Sequence, residues 1–317
     1  MSILLLGPLI KQKREELGLT QEDLADGICS VPTLSRIENG ERIPNQNHSE
    51  MLLQRLGYSD SLQINYVPEK TLELHELKFN IRQAVIHNKR EEALALLDAF
   101  EANADPADCL NAQFLLINRT ILSDAPDDVR LERFLEAVRM TSPRFDAEHF
   151  PVHLSYEEII AINNIASCTF ALGRMEEAID LQYALLRHYD CQMVNREEIL
   201  RTQLMVYYNL SKYLVNAERY DESLRLCDEG IRIAQETGRC SHLDRLLFYK
   251  SRALLGRNQP GDYQAAEEAA RTALSVASGL GNEVFRDHYA RFIQAFFEQD
   301  PSSEAAPGSD REEAKIS

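Results

Sequence analysis

Three segments of this chain repeat one helical pattern at near-regular spacing, and that repetition leaves few folds open to it. They are NKREEALALLDAF at residues 88–100, NNIASCTFALGRMEEAIDLQYALL at 163–186 and NLSKYLVNAERYDESLRLCDEGIRIA at 209–234. A fourth, LLFYKSRALLGRNQPGDYQAAEEAARTALSVA, follows with an enlarged turn at residues 257–262. Each carries a small residue in an E-E-A-like stretch. Ala178 and Ser223 lie 45 positions apart, and Ser223 and Ala266 lie 43 apart. Ala93 to Ala178 spans 85, room for one more degenerate unit around residues 108–140. From Glu69 onward the apolar period is helical and strand signals are absent. The small residue lets the second helix of a hairpin sit close to the first, and the Gly or polar residue before it makes the turn. Such hairpins bury their apolar faces by stacking on one another. The fold class read from this is all-α, with a plain helical bundle as the other arrangement the period allows.

The N-terminal stretch TQEDLADGICSVPTLSRIENGERIP, residues 20–44, has a different character. Thr20 is a natural N-cap, and Gln21, Glu22 and Asp23 put polar and acidic groups in a first helical turn. Leu24, Ala25 and Ile28 form a small apolar face. Cys29 and Ser30 make a turn, Ser30 can cap a second helix with Leu34 and Ile37 inward, and Asn39-Gly40 ends it. Two short helices joined by a tight turn fit a reader of the DNA major groove. A preceding helix is predicted over Leu6–Leu17, with Leu9, Ile10 and Leu17 toward the core. A closing helix is predicted over Asn47–Leu56, with Met51, Leu52, Leu53 and Leu56 as its apolar side and Gly57 at its end.

These residues resemble the phage-repressor (XRE) helix-turn-helix family over roughly residues 5–57, from the T-Q-E-x-L-A opening to the S-R-I-E-N-G close. The short Ile28-Cys29-Ser30 form is similar to the peptide-pheromone regulators of the PlcR and Rgg type (RNPP-like). The resemblance implies an internal ion pair between Arg14 and Glu38. It also implies that Val31, Pro32 and Arg36 face base edges, with Ser30, Thr33 and Ser35 nearby. Arg36 is the best candidate for base reading because its fork matches the two acceptors of guanine, backbone contact being the alternative. Gln21 is placed to bind a phosphate and fix register. Arg42 joins Lys11, Lys13, Arg36 and Arg55 as a candidate basic face.

The repeats resemble the tetratricopeptide repeat, stretched beyond its usual length of about 34 residues. That resemblance implies a right-handed superhelix with a concave groove lined by the first helix of each hairpin. Alignment on Ala178 and Ser223 puts Asn163 and Ser167 on that face in one repeat, and Tyr208, Lys212 and Asn216 in the next. Asn164 and Asn209 are equivalent positions one residue off the groove centre. An amide can both donate and accept, so it can clamp a peptide backbone. By resemblance Asn163, Asn164 and Asn209 would hold a short signalling peptide, although Asn164 and Asn209 could instead cross-link helices. Lys78, Arg82, Lys212 and Lys250 are basic spots suited to a peptide carboxylate, or solvated cations.

The chain divides on this reading into a DNA-binding domain (1–65), a peptide-binding and dimerisation domain (66–299) and a disordered polar tail (300–317), with a hinge at 58–70. The net charge is −17; residues 1–65 hold six basic and nine acidic side chains, −3, leaving −14 for the remainder. That balance opposes loose non-specific DNA binding and favours two readers paired on a two-fold site, hence a homodimer. The six cysteines form no CxxC pair and read as buried reduced thiols of a cytoplasmic protein. No run of 18 apolar residues implies a membrane span, and the start lacks the basic residue of a signal peptide. His149 and His153 flank Pro151 and make a poor metal site, Ser278-Gly279-Leu280-Gly281 is a helix end, and no cofactor or catalytic constellation is implied. The expected function is a transcriptional regulator that binds double-stranded DNA and is controlled by a short peptide. The rivals are a repeat-domain adaptor and an orphan regulator without peptide response.

Overall fold

The computed structural model describes residues 6–42, 44–56, 69–105, 107–146, 150, 154–190 and 197–298. The regular structure among them is α-helical throughout. The helices are α1 (Leu6–Glu16), α2 (Gln21–Ala25), α3 (Val31–Glu38), α4 (Gln46–Arg55), α5 (Glu69–Ile86), α6 (Arg90–Asn103), α7 (Cys109–Ile121) and α8 (Asp127–Arg139). They continue as α9 (Tyr156–Ala171), α10 (Met175–Asp190), α11 (Glu197–Asn216), α12 (Tyr220–Thr237), α13 (Leu243–Arg257), α14 (Asp262–Gly279) and α15 (Glu283–Phe297). The chain forms two compact units. One holds Met1–Cys168 with Arg187–Val194, and the other holds Thr169–Leu186 with Asn195–Ser317. The expected tail and residues 58–68 of the hinge lie outside the described residues, while Glu69 and Lys70 already belong to α5.

In the first unit, α1–α4 close on a core of Ile10, Leu24, Leu34, Ile37 and Leu52, each fully buried. Gly7 makes the approach of α1 to α3 possible, because a Cβ there would run into the Ile37 carbonyl. On α4 Leu52 is fully buried with Met51 close behind, the C-cap Leu56 is buried as well, and Leu53 is only partly buried. Leu110 of α7 joins this same core, so the four-helix bundle is sealed by the repeat segment of its own unit. Arg55 extends the junction: it donates to the Asp26 carbonyl and, at 2.9 Å, to the Thr141 carbonyl. Its guanidinium lies 3.9 Å from Glu158, which also accepts from Thr141, Ser142 and the Ser155 amide at 2.7 Å each.

The repeat spacing has a backbone cause. Asn88, Gly173, Glu218 and Gly261 all take left-handed φ values, +55°, +80°, +58° and +90°. Each stands five positions before one of Ala93, Ala178, Ser223 and Ala266, and those four are fully buried. A left-handed residue turns the chain and the small residue then seats the second helix. The degenerate unit expected at 108–140 is the α7–α8 pair. In the second unit α11 pairs with α12 and α13 with α14, and Ser223 Oγ donates to the Ser211 carbonyl at 3.1 Å across the first pair. The enlarged turn is closed by Asp262, which accepts from Arg257 at 2.7 and 2.9 Å and from the Gln259 amide at 2.9 Å. Glu218 bears the steric penalty of a Cβ in a left-handed turn that Gly avoids. Glu218→Gly should therefore raise stability by about 0.5–1 kcal/mol net of backbone entropy, seen as a higher urea midpoint at unchanged slope.

Candidate functional sites

The helix-turn-helix is locked from within. Thr20 and Asp23 form a reciprocal capping box, with the Asp23 amide donating to Thr20 Oγ1 at 3.1 Å and the Thr20 amide to Asp23 Oδ2 at 3.0 Å. Ser30 caps α3, and Pro32 falls in its first turn, where its missing N–H breaks no helical bond. The implied ion pair is present: Arg14 reaches buried Glu38 at 2.6 and 2.9 Å and also donates to the Leu19 carbonyl at 2.9 Å. The hydrogen bond to Glu38 holds the Arg14 guanidinium even more firmly protonated than usual.

With Leu34, Ile37 and Glu38 turned inward, α3 presents Pro32 and Arg36 as exposed side chains, flanked by half-buried Thr33 and Ser35; Ser30 and Arg42 are exposed beside it. Among the described residues no carboxylate pairs with Arg36 or Arg42. Four of the expected side chains are engaged within the unit. Gln21 donates to Glu38 Oε2 at 2.8 Å, so it is engaged in completing the ion pair. Val31 is half-buried and packs against the bundle core. Arg55 is not part of a basic face, since it is buried in the junction with Thr141 and Glu158. Lys13 pairs with Glu16 at 2.8 Å, which leaves Lys11, Arg36 and Arg42 as exposed cations here.

The expected groove residues fall in both units. In the first, Asn163 is buried and engaged, Ser167 is half-buried and engaged, and Asn164 donates to the carbonyl of Ile160 on its own helix at 2.8 Å. That intrahelical bond replaces the cross-link that was the alternative for Asn164. Arg82 pairs with Glu157, and Lys78 is buried over the rings of Phe100 and Phe114 at 5.7 and 5.5 Å. In the second unit, Asn209 is buried and engaged, and Asn216 caps a carbonyl of its own helix at 2.8 Å. Tyr208 stacks on His242 at 5.8 Å and lies beneath Arg245 at 5.1 Å. Lys212 lies 5.7 Å from the Phe170 ring, and burial lowers its pKa, with Arg245 and Arg252 adding to the effect. Lys250 is taken by Asp228 at 2.6 Å. The sequence reading missed Arg245, Tyr249 and Arg252, although their i, i+4, i+7 spacing on α13 was visible.

The cysteines are more varied than expected. Cys168 and Cys227 are buried, with thiols pushed by burial up to about 11 and about 12, which removes them as nucleophiles. Cys29 and Cys109 are half-buried, packed at the edge of the N-terminal core, and Cys240 is exposed in the loop before α13. Cys191, His149 and His153 lie outside the described residues. Among the described residues, no cluster of His, Cys, Asp and Glu is arranged to hold a metal ion, and no helix is long and apolar enough to cross a membrane. The recess along α8, lined by Glu132, Arg133, Glu136 and Arg139, contains none of the expected groove residues.

Comparison with known proteins places these features. Residues 10–62 match a helix-turn-helix family, and residues 78–287 match the RNPP family C-terminal domain. Among solved structures, PlcR of Bacillus thuringiensis, in complex with the peptide PapR7 and DNA, is 18% identical. The match covers 90% of this chain and 98% of that one, at a TM-score of 0.59. ComR of S. thermophilus, in complex with DNA and its signalling peptide ComS, is 18% identical, covering 92% and 99% at a TM-score of 0.51. ComR of Streptococcus vestibularis, in complex with its cognate signalling peptide XIP, is 19% identical, covering 91% and 97% at a TM-score of 0.54. At these identities the likeness is one of fold. No curated protein sequence is significantly similar to the chain.

Proposed function

The chain belongs to the RNPP family, and on that footing we propose that it is a sequence-specific DNA-binding transcriptional regulator controlled by a short signalling peptide held by its repeat helices. The observation that carries the DNA half is the exposed face of α3. Arg36 stands there with no carboxylate partner among the described residues, on a helix fixed by its Ser30 cap and a buried ion pair. A preorganised helix with a free guanidinium is what reading a guanine edge requires. Ser30, Val31, Pro32, Thr33 and Ser35 would sit around it, with Arg42 on the backbone. Gln21 would reach a phosphate only by sharing its amide with Glu38.

The acidic chain favours a homodimer that reads a two-fold operator with two helices one DNA turn apart. We assign residues 1–65 to DNA, 66–299 to peptide and dimer, and 300–317 to a polar tail, in a cytoplasmic protein that is not an enzyme. Peptide contacts would come from Asn163, Asn164, Ser167, Tyr208, Asn209 and Lys212. Asn163 and Asn209 would have to exchange present interactions for the peptide backbone.

The test is a titration of the full chain against fragments of its own promoter region, with and without short peptides encoded beside its gene. Peptide-dependent affinity or footprint supports the regulator. Tight binding indifferent to every peptide favours the orphan, and absence of specific binding at low salt removes α3 from its role. Arg36→Ala should weaken specific binding by about 1–3 kcal/mol, roughly 5- to 150-fold, and relax the preference at one base pair only.

A further inference from the structure

In the second unit, α13 presents Arg245, Tyr249 and Arg252 at i, i+4 and i+7, and α11 presents Tyr208 and Lys212 at i and i+4, so each helix offers one stripe. The stripes meet, because the Tyr208 and Tyr249 ring centroids are 5.8 Å apart. Arg245 lies 5.1 Å from the Tyr208 ring and 4.3 Å from that of Phe285 on α15. Arg252 lies 5.5 Å from the Tyr249 ring, and Lys212 lies 5.7 Å from that of Phe170. Three cations thus surround a floor of rings. All three are half-buried, reachable yet partly stripped of water.

Other cations of this unit are neutralised: Arg219 by Glu222, Arg257 by Asp262, Lys250 by Asp228. Among the described residues no carboxylate pairs with Lys212, Arg245 or Arg252. Asp244, the sequence neighbour of Arg245, makes no ion pair with its guanidinium and accepts from the Tyr289 hydroxyl at 3.2 Å; burial raises its pKa against the pull of the Arg245 charge, which weakens Asp244 as a counter-ion. Burial first, and then repulsion from both arginines, disfavours the charged form of Lys212. Like charges held together without a counter-ion are costly unless something anionic joins them. An arginine fork suits a carboxylate, and the adjoining rings suit an apolar side chain beside it.

We propose that the cluster of Lys212, Arg245 and Arg252, with Tyr208, Tyr249 and Phe285, is the subsite that receives a carboxylate of the signalling peptide with an apolar or aromatic residue next to it. The proposal rests on the peptide reading above and narrows it to an anionic peptide class.

The experiment compares matched pools of randomised short peptides, each carrying one Trp. The chain itself has no Trp, so Trp anisotropy reports the peptide alone. One pool is rich in Asp and Glu with a free C-terminus; another has Asn and Gln in their place and is amidated. Two mixed pools separate a side-chain carboxylate from the terminal one. The acidic pool should bind the full-length protein at least about tenfold more tightly, the worth of one charge-assisted hydrogen bond. Lys212→Met, Arg245→Gln and Arg252→Gln should erase that difference without lowering the unfolding temperature. Equal binding of all pools by the wild-type protein overturns the subsite and leaves the peptide reading standing. Binding of none overturns both, and this comparison holds even if a variant fails to fold.

Discussion

Glu38→Ala should cost the N-terminal bundle about 3–5 kcal/mol, the loss associated with removing one partner of a buried ion pair. Glu38 is 2% exposed and accepts from Arg14 twice and from Gln21 once. Deleting it strands a guanidinium that is 8% exposed and keeps only the Leu19 carbonyl as a strong partner. Hydrogen exchange resolves the effect locally. Amides of α1 to α3 should lose roughly two to four orders of magnitude of protection, while those of α13 and α14 keep theirs. DNA binding should weaken alongside, although Glu38 touches no base, because α3 is no longer held. Arg14→Met with Glu38→Met should recover much of the stability, since two apolar chains leave no orphan charge. If Glu38→Ala leaves α1–α3 protection unchanged, the pair is not what fixes the recognition helix.

How much of this was legible in the sequence follows from the range of the interactions. Caps, turns and small-residue positions are local, so Thr20, Ser30 and the series Ala93, Ala178, Ser223 and Ala266 could be placed without coordinates. The left-handed residues five positions earlier were partly legible: Gly173 and Gly261 announce themselves, and Glu218 does not. Arg14–Glu38 came from family resemblance, since nothing in a 24-residue separation predicts it. Arg55 was misassigned because its partners, Thr141 and Glu158, lie 86 and 103 positions away and only the folded unit brings them in. Asn164 shows the same limit. It stands the repeat spacing of 45 positions before Asn209, yet its amide donates to a carbonyl on its own helix.

Acid should destabilise the second unit well above the carboxylate range, and His242 is the reason. Its ring is stacked on Tyr208, and burial first, then the charges of Arg245 and Arg201, lower its pKa to about 3. The folded imidazole therefore stays neutral down to about pH 3, while the unfolded one takes a proton near 6.5. Between those values the unfolded state binds more protons, so stability falls as pH falls. From pH 7 to pH 5 the loss is about 2 kcal/mol, and it reaches on the order of 4 kcal/mol below pH 3. Asp244 works in the opposite direction, because its raised pKa lets the folded state take up a proton first, but only as pH nears the carboxylate range. The check is the urea midpoint of the wild-type protein and of His242→Gln at both pH values. The variant should lose most of the drop, and an identical drop in both would assign the acid sensitivity elsewhere. Arg245 links this behaviour to the proposed subsite: its charge, which after burial helps to keep His242 neutral, is one of the three with no ion-paired carboxylate among the described residues. A carboxylate seated on Arg245 would weaken its repulsion of the imidazole, so peptide binding should raise the His242 pKa and flatten the same pH profile.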